Sequence, residues 1–383
     1  MENYSLYKVH PDYQKNFPDL RRARACYDGE SAVKAAGMEF LPMPDSEPMT
    51  PDEYKQLHNF ANFVNYVNPT VDTAVGLMTQ NRVETDYPLG EIIRELMVAG
   101  RCIILEAPIA PRPTVFKSEE VYDWATDDFG DITYLAMQRR TIQRLSTDSG
   151  SNIRWTNYQF IKQLNGKWLH IRNVSPAPFN TFNNDRKRVH TETLQNLPVK
   201  FIGVDRNSVE IQVAPMQAIA DLNIQHYKLG ALVNRAAYRA GEAKLVISGA
   251  SASEIDSVQT LHSGDALAFK DPTAKAVFVQ SMETSNAMAR LEKIEQEIKE
   301  RGAVFASEGK ASVTTSSANM SAVNKYAVYI PILNNIEEAL GITIDRAFLQ
   351  DATEAAAETK PNSDINSEER DGKDKLQRPQ ESN

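Results

Sequence analysis

Asp128-Phe129-Gly130 has the residue types of a metal-holding kinase triplet, and Asp127 and Asp131 add two more carboxylates around it. No His-Arg-Asp loop and no Gly-x-Gly-x-x-Gly string accompanies it, so these acids read as a turn leading into a strand over 132–145. Gly302, Gly309 and Lys310 suggest a phosphate loop. Six residues rather than four separate the glycines, however, and Ala311 stands where a metal-binding hydroxyl is needed. Ser307-x-x-Lys310 has the spacing of an acyl-transfer nucleophile and its base, without the Ser-Asp-Asn and Lys-Thr-Gly strings that complete such a site. The histidines (His10, His58, His170, His190, His226, His262) form neither His-x-x-x-His nor His-Glu-x-x-His. Cys26 and Cys102 are solitary, which predicts small buried apolar residues and no disulfide. No catalytic residue, metal ligand or cofactor is therefore expected, and the chain reads as a protein that is not an enzyme. A metal-dependent nuclease built on Asp127, Asp128 and Asp131 is the remote alternative.

The chain has 383 residues, 42% of them apolar and 24% charged, which is an ordinary globular composition with room for two or three packed units. No window approaches the roughly 18 consecutive apolar residues of a membrane span, and residues 1–15 lack the apolar centre of a signal peptide. A soluble protein made in a cytoplasm is expected. The net charge of -9 argues against a protein that works by tight nonspecific attraction to nucleic acid or anionic lipid.

Helices come first. Thr50-Pro51-Asp52-Glu53 carries an N-cap, a first-turn proline and the glutamate of a capping box. Leu57, Phe60, Ala61 and Val64 follow at helical spacing, Pro69 ends that helix, and Thr70 caps a second with Val71, Ala74, Val75 and Met78 on one face. A third helix over 89–98 runs through Gly100 into an apolar strand over 102–105. From 132 to 213 the pattern becomes that of a mostly antiparallel sheet: a hairpin at Asn165-Gly166, and strands at 199–204 and 209–213. Helices follow at 215–240 and 281–306, separated by a small module with strands at 244–247 and 274–279. The second of these helices sets Ala287, Leu291, Ile294 and Ile298 along a narrow apolar seam among many charges. A small polar stretch over 308–319 precedes a helix over 320–358, which Pro331 should kink. Beyond 360 almost no apolar residue remains, which predicts a disordered acidic tail.

That order of modules resembles the C-terminal half of a tailed-bacteriophage portal protein. Strings over about 27–345 carry a likeness to one portal-like family of phages and prophages. They are Tyr27-Asp28-Gly29, Ala32-Val33-Lys34-Ala35-Ala36-Gly37, Phe40-Leu41-Pro42, Pro88-Leu89, Gly100-Arg101, Asp221-Leu222-Asn223 and His226-Tyr227. The pattern departs from that family at Gln80-Asn81-Arg82 and at Met216-Gln217.

The resemblance implies an α+β portal fold that forms a ring, usually of twelve subunits. Its parts would be an α/β wing (1–214), a two-helix stem (215–241 and 281–306), a β-containing clip (242–280), a tunnel loop (307–319), a long kinked spine helix (320–358) and the tail (359–383). It implies a place in the virion, at one capsid vertex, after synthesis in the host cytoplasm. Double-stranded DNA would enter during packaging and leave during ejection, and the ring would dock the terminase large subunit and later the head-to-tail adaptor. The major capsid and scaffolding proteins would be its other partners, with no membrane and no cofactor. Lys293, Lys299, Arg301, Lys310, Ser312, Thr314 and Thr315 would line the DNA tunnel; Glu254, Asp256, Asp265 and Asp271 would form the docking surface of the clip. A different connector or minor head protein is the alternative. From Asp351 onward nine acids meet five bases, so -4 of the net charge falls in the tail. An acidic ring suits a conduit through which DNA slides better than one that grips it.

Overall fold

The computed structural model describes residues 9–43, 49–80, 84–143, 152–175, 189–241, 244–248, 275–279, 285–306 and 315–346. The chain opens with α1 (Pro11–Asp28) and α2 (Glu30–Ala35). Nothing in the periodicity of this polar stretch announces α1. Pro11 at its first turn and His10, whose Nδ1 accepts the Asp12 N–H at 3.2 Å, start it. Its inner side buries Ala23 and Cys26 against the body.

In α3 (Pro51–Phe60) both halves of the expected capping box form: the Glu53 N–H donates to Thr50 Oγ1 at 3.3 Å, and the Thr50 N–H donates to the Glu53 carboxylate at 2.8 Å. The next boundary differs from expectation. Phe60 ends α3, and α4 (Val67–Met78) begins before Pro69, which falls in the first turn where its missing N–H costs no helical hydrogen bond. Thr70 is inside the helix and its hydroxyl donates back to Tyr66 O at 2.8 Å. Val71, Ala74, Val75 and Met78 are buried, as their spacing predicts.

Helix α5 (Leu89–Ala99) feeds β1 (Arg101–Leu105) through Gly100, whose φ of 72° belongs to the left-handed region. A Cβ at Gly100 would collide with the backbone carbonyl of Gln212, so both conformation and contact demand glycine. β1 sits between β2 (Thr114–Lys117) and β8 (Val199–Gly203) in an antiparallel three-stranded sheet. Its alternation is the organising fact of the molecule: Cys102 and Ile104 enter a core of helices, while Ile103 and Leu105 enter a second core under the larger sheet. A strand buried on both faces thus becomes the wall between two cores.

The larger sheet runs β3 (Val121–Thr126), β4 (Ile132–Gln143), β5 (Asn152–Lys162), β6 (Trp168–Ser175) and β7 (Val189–Leu194), each antiparallel to the next. One face carries Trp124, Leu135, Met137, Phe160, Trp168 and Leu194 into the second core. Asn165-Gly166 does turn the chain, but in a three-residue loop: the Gln163 N–H closes the ladder on Lys167 O at 2.8 Å, with Gly166 at φ 78°. Two expectations fail here. The strand at 199–203 joins β1 instead of this sheet, so the β region holds two sheets. Residues 209–213 form no strand, because the Gln212 side chain staples the preceding loop, accepting from the Asp205 N–H (2.7 Å) and donating to Arg206 O (2.6 Å).

Helix α6 (Gln217–Gly241), the pair β9 (Lys244–Ser248) and β10 (Lys275–Val279), α7 (Ser285–Ala306) and α8 (Thr315–Leu340) complete the described chain. The last helix starts and stops earlier than expected: Thr315 is already helical, and Gly341 at φ 68° ends it, donating its N–H to Glu337 O at 2.8 Å. Pro331 lies inside α8, which remains helical through it. Tyr329, Ile332, Leu333 and Ile336 pack into the helical core, and Asn335 donates to Gly203 O (2.8 Å) and Val204 O (2.9 Å), tying α8 to β8. The fold class is α+β. Among the described residues no helix is long and apolar enough to cross a membrane.

Candidate oligomer and nucleic-acid interface

The C-terminal modules meet as a helical pair with a strand pair between its two members in sequence. At about 1.5 Å per residue α6 and α7 are each roughly 33–38 Å long. Ile294, Ile298 and Phe305 of α7 are buried in the helical core with Ile224, Tyr227 and Ala231 of α6, so of the seam expected from spacing Ile294 and Ile298 pack, while Ala287 and Leu291 are only half-buried. β9 and β10 are antiparallel, with Val279 opposite Lys244. That register brings the chain leaving α6 beside the chain returning to α7.

The strings that carried the resemblance prove to be packing residues. Asn223, fully buried on α6, accepts the Tyr66 N–H (3.2 Å) and donates to Val64 O (2.8 Å), pinning the link between α3 and α4. Tyr227 meets Phe63 edge to face, His226 meets Tyr66 the same way, and Arg22 of α1 pairs with Asp221 at 2.5 Å. Burial lowers the His226 pKa and raises that of Tyr66; Glu295 of α7 raises both.

Of the bases expected at DNA, Lys293 and Arg301 are exposed on α7 and pair with no carboxylate among the described residues. Lys299 does not share their side. At about 100° per residue it lies roughly 120° round the helix from Lys293 and away from Arg301. There it pairs with Glu295 at 2.8 Å, and this hydrogen bond holds the Glu295 carboxyl below its ordinary range. The helix carries four bases and four acids (Arg290, Lys293, Lys299, Arg301; Glu292, Glu295, Glu297, Glu300), so it presents no net positive field. Thr315 belongs to α8 rather than to a loop. Lys310, Ser312 and Thr314, and all four acids expected at the docking surface (Glu254, Asp256, Asp265, Asp271), lie outside the described residues, as do His262, Ser307 and the tail.

The aspartates at 127–131 form the turn expected of them. Asp127 Oδ1 accepts the N–H groups of Phe129 (3.0 Å) and Asp131 (2.9 Å), Gly130 takes φ 86°, and the Phe129 side chain is exposed. An open polar crevice of about 380 Å³ lies beside this turn, lined by Asp131, Phe201, Ser208 and the Arg206–Glu210 pair. Among the described residues no three His, Cys, Asp or Glu side chains are grouped to hold a metal ion. Cys26 and Cys102 are buried and free. One signal went unread in the sequence: residues 138–190 hold ten Lys and Arg against two acids, within a chain that is acidic overall.

Residues 215–348, a span that takes in α6 to α8, match the model of a family described as a domain of unknown function (DUF4055). No curated protein matches. Among solved structures, a chain from the virion of a native gene transfer agent (GTA) particle is similar at 10% identity, over 88% of this chain and 97% of that chain, with a TM-score of 0.38.

Proposed function

We propose that the chain is a portal protein: a subunit of a ring at one capsid vertex through which double-stranded DNA is packaged and later ejected. The observation that supports this reading is the arrangement α6, β9–β10, α7, then the long α8. Two helices pack along an apolar seam, and a strand pair joins them at one end, which is the stem-and-clip order that the sequence strings suggest. A ring arises when a head-to-tail interface closes on itself, and the mixed charges of α7 suit contact with a neighbouring copy better than a grip on phosphate. The residues of α6 named by the resemblance act beneath this, holding the stem to the wing. In this reading the terminase motor and then an adaptor dock at the segment between β9 and β10.

Imaging the purified protein by negative stain tests the proposal. Rings with a hole of about 30–40 Å are expected, wide enough for a duplex whose grooves are about 12 and 6 Å wide. Stable monomers at high protein concentration would overturn it. A second test separates docking from assembly: deleting residues 250–268 should leave rings intact and abolish DNA packaging in an assembly assay. Loss of the rings themselves would remove the docking role from that segment.

A further inference from the structure

We infer that the far end of the five-stranded sheet binds the phosphate backbone of double-stranded DNA, at a surface separate from the α6–α7 pair. The inference does not rest on the portal reading. Strands β4, β5 and β6 continue past their last apolar core residues, although Gln138, Thr156 and Asn157 beyond that point are still buried. The last core residue of β4 is Met137, and those of β5 and β6 are Phe160 and Trp168. Yet the ladder continues through Arg140 opposite Trp155, Thr141 opposite Arg154, and Thr156 opposite Val174. These strand ends carry Arg139, Arg140, Arg154 and Arg172, and no acidic residue lies on strand positions 138–143, 152–157 or 171–175.

Arg139 is spoken for: it pairs with Glu120 at 2.9 Å and lies over the Phe116 ring. Glu192, the nearest acid on β7, is engaged by His170 at 2.9 Å and reached by His190 at 3.7 Å. Arg140, Arg154 and Arg172 have no carboxylate partner among the described residues; Arg172 lies over the Tyr158 ring, 5.9 Å from its centre. Arg154 and Arg172 share one face of the sheet by register and Arg140 occupies the other, so an anion is met across the strand ends. At about 3.3 Å per residue and 4.8 Å between strands, Arg154 and Arg172 stand roughly 14 Å apart, a spacing that follows a polyanion rather than a single small anion.

Charge segregation chooses the class of partner. In a chain of net charge -9, strand positions 138–143, 152–157 and 171–175 hold four arginines and no acid. Unpaired guanidinium groups match phosphate oxygens in a fork and release counterions when they do. Such a site neutralises few phosphates, so its affinity should be weak and strongly dependent on salt.

The test uses the full chain and a 30-base-pair duplex followed by fluorescence anisotropy. With three phosphate contacts the affinity should fall about forty-fold between 50 and 200 mM salt. Changing Arg140→Gln, Arg154→Gln and Arg172→Gln together should weaken binding at least ten-fold at 50 mM salt and flatten the salt slope. The corresponding lysine variants should retain most of the slope, and all should keep the wild-type melting curve and oligomeric state. Wild-type protein that binds no duplex at 50 mM salt, or a glutamine variant with an unchanged slope, would overturn the inference. So would a glutamine variant that loses association between copies instead, since the patch would then receive an acidic protein surface. Rings without salt-dependent binding leave the portal reading standing, and monomers that bind with the expected slope leave this one.

Discussion

Replacing Arg101 with alanine is expected to lower the unfolding free energy by about 5 kcal/mol, a large share of the roughly 5–15 kcal/mol that folded proteins possess. The guanidinium is fully buried at the start of β1 and lies over the Trp124 ring, 4.7 Å from its centre. Among the described residues it has no carboxylate partner. Instead it donates to Ser118 Oγ at 2.9 Å, to Val121 O at 3.2 Å, to Ser118 O at 3.4 Å and to Val209 O. One side chain therefore satisfies the turn before β3 and the loop after β8 at once. Alanine would leave those carbonyls buried without donors, each costing about 1–3 kcal/mol, and would open a cavity in the second core. Lysine should recover less than half of the loss, because a single ammonium cannot reach both sides of the fork. Urea denaturation followed by tryptophan fluorescence checks both numbers. A loss below about 1 kcal/mol for alanine would show that the carbonyls find other donors.

Replacing Arg24 with leucine should cost about 3–5 kcal/mol, with a dependence on pH that identifies the cause. Arg24 of α1 bridges Glu95 of α5, at 3.0 Å through Nη1, and Glu119, at 2.7 Å through Nε. Glu95 is only 3% exposed. Burial raises its pKa above the ordinary carboxylate range even though Arg24 pulls it down. A raised folded-state value means that the group's contribution is present below its unfolded pKa, about 4.3, and is lost as pH rises through the folded one. Without the guanidinium that value climbs further. The deficit of Arg24→Leu should therefore be smallest near pH 4 and grow toward pH 7, and adding Glu95→Gln should remove much of the growth. Denaturation curves across that range test it; a deficit independent of pH would assign the loss to packing alone.

Much of the architecture follows from short-range rules, and those parts were legible. The Thr50–Glu53 cap, the α4 stripe, the turn at Asp127–Asp131 and the passage from α5 through Gly100 into β1 each depend on residues within one or two turns of each other. The helix α1 was not legible, because its polar composition hides the few apolar residues it buries, Tyr13, Leu20, Ala23, Ala25 and Cys26. Gly341 stops α8 by its left-handed conformation, a signal outweighed in the sequence by the apolar spacing around it. On α7, the burial of Ile294 and Ile298 could be read from periodicity. The pair of Lys299 with Glu295 is local too, since the two stand one helical turn apart.

By itself, then, the sequence determined the elements whose signals are local: caps, stripes, turns and the order of modules from α6 to α8. It also determined the charge imbalance of residues 138–190, which composition alone contains. The tertiary structure decided everything that needs a partner far along the chain. It put residues 199–203 beside β1 rather than in the larger sheet, buried Arg101 among carbonyls from two separate segments, and set Asn223 against the link between α3 and α4. It also set Arg140, Arg154 and Arg172 beyond the apolar core with no carboxylate partner among the described residues, because only strand register shows which acids lie within reach. Periodicity reports which face of an element is buried; which other element buries it depends on long-range packing, and no local pattern encodes that.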